Sequence, residues 1–397
     1  MQFSFSEDQL ARRAAVRQAL EAECPPAELR ARASGSRGDG RPWEALGAMG
    51  ACGLLVEEAF GGLGLDDVAM VGILEEAGWA ALPDPLAETA ALVGPLLGRL
   101  AAGGPSCAAP GGGPGGPRTD LGRWLAALAA GRLVAGVGGV DLGPQGLLAT
   151  TRAGAGPPDR AGVLVTPRVA GGCGAGLLVL CAPAPPSAEH DLRRSAPGWE
   201  IHVVEPGSEG TTVAPSPSLD ATRDLATVTW APSPNSLVAD GPAAGTLVAE
   251  LADRGALAAA AQLVGLADRM IALAARHAGE RHQFGRPIGS FQAVKHHLAS
   301  ARVKLEFARP VVYRAADSVA RQLPTRTHDT ALAKALASDT ADLAARVALQ
   351  VHGAMGYTWE ADLHLWMKRA WALSAAWGSA GVQRARVLAA VLDQGPV

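Results

Sequence analysis

The residues best suited to chemistry lie in the C-terminal half, and they read as a binding set. Arg281-His282-Gln283-Phe284-Gly285 is followed by Phe291-Gln292, then by Gln350-Val351-His352-Gly353-Ala354-Met355-Gly356-Tyr357, and last by Gly378-Ser379 and Gln383-Arg384. A guanidinium can grip a pyrophosphate through parallel hydrogen bonds, and close approach of a backbone to such a group needs small residues. A blander reading stands beside this one, with Arg281 paired on a helix surface and Phe284 an ordinary core residue. The histidines of this region, His282, His296, His297 and His352, do not read as a metal site. His296 and His297 are adjacent on a helix and point in different directions, unlike the i, i+4 pair of a helical zinc site. The five cysteines (Cys24, Cys52, Cys107, Cys173, Cys181) are scattered and lack CxxC spacing. No disulfide framework or zinc site is expected, and a reducing cytoplasm is the natural location.

These residues need a scaffold, and its texture changes twice along the chain. Residues 1–130 read as a helical domain. Ser6 with Gln9 forms a capping box, and Leu10, Ala14 and then Val16, Leu20 keep helical spacing. Gly61, Gly62 and Gly64 make a turn within Leu54–Gly64, and Asp66 caps a helix with Val68, Val71 and Leu74 on one face. Residues 101–118 are low-complexity Gly/Pro/Ala, expected to form a flexible surface loop. Residues 131–240 hold short apolar runs between Gly/Pro clusters (Gly162–Thr166, Gly176–Cys181, Glu200–Val204, Thr227–Trp230), which predict strands of a β-domain. Residues 241–397 are helical again. Leu257, Ala261, Val264 and Ile271 share one face, and Leu263, Leu266, Met270 and Leu273 another, as in a helix buried in a bundle. Further helices are expected over 290–322, 327–352 and 361–393. The fold class is mainly α with a central β-barrel or sandwich domain and a C-terminal four-helix bundle. No GxGxxG opens a helix after a strand, so no Rossmann site is expected.

At 397 residues the chain suits two or three domains, and 48% hydrophobic with 18% charged residues supplies a sizeable core. A formal net charge of −3 gives no reason to expect nucleic acid or an anionic membrane as partner. The N-terminus lacks the pattern of a signal peptide, and no uninterrupted apolar run reaches the roughly 18–20 residues of a membrane span.

Taken in order, these motifs resemble those of the acyl-CoA dehydrogenases. Arg281 to Gly285 with Phe291-Gln292 is similar to the family's RxxFG…FQ signature. Gln350 to Tyr357 resembles its Q-x-x-G-G-x-G-aromatic segment, and Gly378-Ser379 with Gln383-Arg384 the tail of its catalytic segment. Glu57 to Gly64 resembles a PE-x-x-G-G-x-G loop, and Leu219-Asp220-Ala221-Thr222-Arg223 a β-domain segment of bacterial members. The resemblance implies FAD. Arg281 would reach the FAD of a neighbouring subunit, Phe284 would pack near it, and Gln292 and Gln350 would contact its adenosine half. Gly353 would lie beside the pyrophosphate, and Ser379 belongs to the same cofactor-binding set.

The same resemblance exposes a gap. The family removes an α-proton from an acyl-CoA with a carboxylate base while the β-hydride passes to the flavin. In most members the base precedes the glycine matched by Gly378, where this chain has Trp377. A minority place it on the earlier buried helix, where this chain has Gly255. An indole accepts no proton at neutral pH and fills space meant for substrate. Ala354 replaces a glycine, and Gly136–Asp141 stands where the family has a Thr- or Ser-containing loop over the flavin. Asp253, Glu360 and Asp362 lie near the relevant segments but read as surface or capping carboxylates. The resemblance therefore implies the base-lacking subunit of a heteromeric enzyme, as in actinobacterial steroid side-chain dehydrogenases. Such a chain would form a homo- or hetero-tetramer with a Glu-bearing paralogue, acting on an acyl-CoA. The alternatives are a self-contained flavoenzyme with altered chemistry on a CoA- or carrier-bound acyl group, or an inactive scaffold.

Overall fold

The structure is a computed structural model that describes residues 5–36, 38–103, 120–143, 146–153, 163–184 and 198–394. Most of the Gly/Pro stretch 101–118, Gly162 and Cys107 fall outside the described residues.

Helices α1 (Glu7–Glu23), α2 (Pro26–Ala33), α3 (Arg41–Ala48), α4 (Asp67–Ala80), α5 (Gly94–Ala101) and α6 (Leu121–Ala129) come first, with a π-helical turn over Ala87–Val93 leading into α5. Local chemistry sets their starts. Ser6 Oγ accepts from Gln9 N at 3.2 Å while Gln9 Oε1 accepts from Ser6 N at 2.9 Å, and Asp66 accepts from Ala69 N at 3.0 Å. Strands β1 (Ala135–Gly138), β2 (Val140–Gly143), β3 (Gly146–Ala149), β4 (Arg152–Ala153), β5 (Leu164–Ala170), β6 (Leu177–Pro183), β7 (Trp199–Val204), β8 (Thr212–Pro215), β9 (Leu225–Trp230) and β10 (Leu237–Asp240) follow. They form a sheet in the order β10-β7-β6-β1-β5-β9-β8, with β4 beside β5 and a separate β2–β3 hairpin. The β1–β6 pair is parallel and the other pairs antiparallel.

The last third is helical: α7 (Gly241–Glu280), α8 (Gln292–Ala320), α9 (Arg326–His352), α10 (Leu363–Ala375) and α11 (Ala380–Gln394), with a small hairpin of β11 (His282–Gln283) and β12 (Arg286–Pro287) between α7 and α8. The single helix expected over 361–393 is two helices. Trp377 and Gly378 take φ of +54° and +79°, which no α-helix accommodates, and the chain restarts at Ala380. Helix α7 is long and apolar enough to cross a membrane by length and composition, yet 72% of that window is buried inside the protein. It approaches α4 so closely that a Cβ on Gly265 would lie 2.7 Å from Trp79 N.

Two buried ionic clusters join the layers. Glu75 on α4 receives Arg13 from α1 at 2.7 Å, and Arg309 at 3.0 Å and the Tyr313 hydroxyl at 2.6 Å from α8. Arg369 on α10 pairs with Asp220, and donates to Thr222 Oγ1 at 2.7 Å and to the Leu82 carbonyl at 2.5 Å. The Leu219–Arg223 segment thus anchors α10 to the sheet and to the N-terminal helices, and α10 carries the loop that bears Trp377. Removing one member of such a buried set leaves its partner's charge uncompensated, a loss of about 3–5 kcal/mol.

Candidate functional site

The site is built around the turn between α10 and α11. Three polar backbone groups along the Trp377–Gly378 step have partners: the Trp377 carbonyl, the Gly378 amide and the Gly378 carbonyl. Gln383, wholly buried, donates from Nε2 to the Trp377 carbonyl at 2.6 Å. Gly378 N donates to Asp141 Oδ1 at 3.0 Å, and the Gly378 carbonyl accepts from Lys334 Nζ at 3.3 Å. Lys334, on α9, is also wholly buried and donates to Ser338 Oγ and the Ser374 carbonyl, each at 3.1 Å. Burial pushes its ammonium down to about 7, with Asp141 opposing that shift. A tryptophan held at positive φ costs about 1–3 kcal/mol, and these hydrogen bonds, at about 1 kcal/mol each and more for the charged one, offset it. The sequence reading did not single out Lys334 or the Asp141 side chain, and it named Gln383 only as part of a motif. Helical spacing cannot show which distant side chains meet a loop.

The clamp points the indole onto α7. A Cβ built on Gly255 would sit 2.5 Å from Cε2 and 2.6 Å from Cε3 of Trp377, so the bare glycine is what admits the ring. The two positions without carboxylate are therefore in contact, and the ring of one fills the space beside the other. Leu142, Ala252 and Ala256 pack around it, joined by Leu147 and Val382.

Trp377 also borders a cavity of about 340 Å³. Its walls are the backbone run Val137–Asp141, the Pro167–Arg168 corner of β5, Arg223, and Trp371 with Trp377. Asp141 is its one carboxylate among the described residues. A second cavity of about 220 Å³ lies between the N-terminal helices and α7, with apolar walls that include Leu55, Phe60, Leu96, Leu247 and Leu251 and with Arg99, Arg254 and Arg326 at its polar part. No residue lines both cavities.

Five of the six residues expected from the sequence to bind a cofactor lie toward one end of the bundle. His277 near the end of α7 stacks on His352 at the end of α9, ring centroids 4.3 Å apart, which sets Arg281 and the β11–β12 hairpin beside Gln350 and Gly353. Gln292 opens α8 just beyond that hairpin. Burial, the neighbouring His352 and Arg281 push the His277 imidazole below its usual value. All five residues are exposed and none lines the 340 Å³ cavity of the same chain. The blander reading does not hold. The Arg281 guanidinium has no ion pair or hydrogen bond among the described residues, and Phe284 is 92% exposed at the hairpin tip with φ +53°. Ser379 lies apart, where its Oγ accepts from Val382 N at 3.5 Å at the start of α11.

The other acids are engaged. Asp253 is buried in the interior of α7, neither a surface nor a capping carboxylate as the sequence suggests, because Thr327 Oγ1 at 2.7 Å and Arg386 at 2.8 Å reach it from α9 and α11. Asp362 pairs with Arg30, and Glu360 is exposed beside Thr358. No cluster of His, Cys, Asp and Glu among the described residues could hold a metal ion.

Known proteins give this geometry its context. A family model for the acyl-CoA dehydrogenase N-terminal domain matches residues 6–99, and one for the acyl-CoA dehydrogenase C-terminal domain matches residues 245–392. Acyl-CoA dehydrogenase IpdE2 of Mycolicibacterium smegmatis is 41% identical over 159 residues, which is 40% of this chain and 46% of that protein. The aligned region spans less than half the length of the curated relatives it matches. Among solved structures, the ChsE4-ChsE5 complex from Mycobacterium tuberculosis aligns at a TM-score of 0.79 and 21% identity over 100% of both chains. PigA with FAD and proline aligns at 0.81 and 18% identity, also over 100% of both chains. These last two likenesses establish the fold, and with the family matches at both ends they lead to one conclusion: the chain belongs to the acyl-CoA dehydrogenase family.

Proposed function

We propose that this chain is a subunit of an FAD-dependent acyl-CoA dehydrogenase that desaturates the α,β bond of an acyl-CoA thioester, and that it is the member without the usual base. The observation that carries this reading is the Trp377 indole seated on Gly255, which closes both base positions with carbon. The residues present suit FAD: a cavity walled by two indoles for a planar ring, and an exposed guanidinium with no partner among the described residues for a pyrophosphate. When bound, FAD supplies the acceptor for the β-hydride. Arg281, with Gln292, Gln350 and Gly353, serves the FAD of the neighbouring subunit, and Phe284 packs beside it. Exposed Val303 and Phe307 on α8 and Leu388 and Leu392 on α11 need cover, so the C-terminal helices form the subunit interface. That a chain of this fold stands in the ChsE4-ChsE5 complex supports a hetero-oligomer, and the reading gives the partner the missing glutamate.

One observation favours a second reading, a self-contained enzyme with a different base. Asp141 lines the ring cavity, and the hydrogen bonds it accepts among the described residues, from Gly378 N and from Leu142 N at 2.8 Å, both fall on Oδ1. Co-expression with Glu-bearing paralogues separates the readings. The hetero-oligomer reading expects stable co-purification, with flavin retained by the pair and largely absent from the isolated chain. A yellow isolated chain that captures no paralogue favours the second reading, and a chain colourless in every combination leaves a scaffold.

A further inference from the structure

Strand β5 is irregular where it meets the 340 Å³ cavity. Its pairing with β9 runs Leu164↔Trp230, Val165↔Thr229, Thr166↔Val228 and resumes at Val169↔Ala226, so β5 carries one extra residue at Pro167–Arg168. Bulges of this kind re-aim side chains and are frequent beside active sites. Arg168 takes φ +56°, a conformation that costs a non-glycine residue about 1–3 kcal/mol and points to a functional constraint where it persists. The bulge places Arg168 on the cavity wall, in the company of Trp371 and Trp377.

The other charged groups of that wall are engaged. Arg223 reaches Glu88 at 3.5 Å, and Asp141 accepts from two backbone amides. The Arg168 guanidinium has no hydrogen bond or ion pair among the described residues, so its donors are uncommitted. A strained, unpaired arginine lining the same cavity as two indoles fits a planar ligand that carries negative charge on one edge.

We propose that Arg168 holds the negative edge of a flavin ring in this cavity and binds the reduced, negatively charged flavin more tightly than the oxidised one. This rests on the proposed binding of FAD and adds a residue, and a direction of tuning, to it. Arg168 is then a cofactor-contacting residue that makes the bound flavin a stronger oxidant. The positive charge is attracted to the ring only after the ring gains negative charge, so its effect falls on one redox state.

The test measures dissociation constants of oxidised and reduced FAD, and the midpoint potential of the bound flavin, in wild-type, Arg168→Gln and Arg168→Lys protein. The protein is studied in whichever assembly retains flavin. Arg168→Gln should weaken reduced FAD about tenfold more than oxidised FAD, which lowers the two-electron potential by about 30 mV. Arg168→Lys should recover part of that shift, because the charge remains. Equal weakening of both redox states would place Arg168 on the phosphates and overturn the inference, as would an unchanged potential with flavin still bound. A wild-type protein that binds no FAD in any assembly would refute the flavin reading itself, and this inference with it.

Discussion

Replacing Gly255 by alanine tests the placement of Trp377 without any cofactor. On an unobstructed helix this change is favourable, because alanine is better than glycine by about 1 kcal/mol in a helix interior. Here the added methyl would lie 2.5 Å from Cε2 and 2.6 Å from Cε3 of the indole. The ring cannot withdraw cheaply, since the Trp377 carbonyl is held by Gln383 at 2.6 Å and the next residue by Asp141 and Lys334. Overpacking of this kind costs about 1–3 kcal/mol, and it must also overcome the propensity gain. Gly255→Ala should therefore destabilise the wild type by up to about 2 kcal/mol net of propensity, yet be neutral to stabilising in a Trp377→Ala background. The two positions should then couple by about 1–3 kcal/mol, the clash alone, in a double-mutant cycle read from urea unfolding by circular dichroism. Gly255→Ala that stabilises the wild type, or a cycle that is additive within about 0.5 kcal/mol, would show that the indole does not rest on α7.

Three further outcomes follow from named contacts. Lys334 is pushed down to about 7 from an ordinary 10.5, so between those values the unfolded chain holds more protons than the folded one. Stability should rise with pH through that window by up to about 1.4 kcal/mol per pH unit, with the full cost of burying the charge felt below pH 7. Lys334→Met should remove this slope, as seen in urea midpoints at pH 6 and 9, and identical pH profiles would contradict it. Arg281→Ala should weaken FAD retention by the assembled oligomer by about 1.5–3 kcal/mol, and unchanged flavin content after dialysis would count against it. Phe284→Asp should shift sedimentation toward smaller species without lowering the unfolding midpoint of the chain, since the side chain is 92% exposed; an unchanged oligomer would remove Phe284 from the interface.

The parts of the fold that could be read from the sequence are those that local chemistry decides. Ser6 and Asp66 cap their helices through residues three positions away, and Gly176–Cys181 and Glu200–Val204 read as strands because apolar runs are bounded by turn residues. The break at Trp377–Gly378 could not be read the same way. Apolar residues keep helical spacing on either side of it, and the turn is fixed by Asp141, Lys334 and Gln383 from three separate elements. The burial of Asp253 is hidden in the sequence for a similar reason, because its partners Thr327 and Arg386 are distant in sequence. Residue types at Gly255 and Trp377 revealed that no carboxylate stands there, but not that the two residues touch. Arg168 gave no signal, since a bulge depends on the register of two strands and leaves no mark in composition.

The most direct test of the central claim is an anaerobic flavin-reduction assay. The isolated chain, supplied with FAD, is mixed with short, long and steroid-derived acyl-CoAs, and the assay is repeated with a Glu-bearing partner. With Trp377 and Gly255 offering no base, the proton-transfer contribution of roughly 10²–10⁴-fold is lost, so the isolated chain should leave the flavin oxidised. Bleaching only with the partner present is the predicted result. Rapid bleaching by the isolated chain would contradict the account and would mean that a base, with Asp141 the first to examine, already stands in this chain's own cavity.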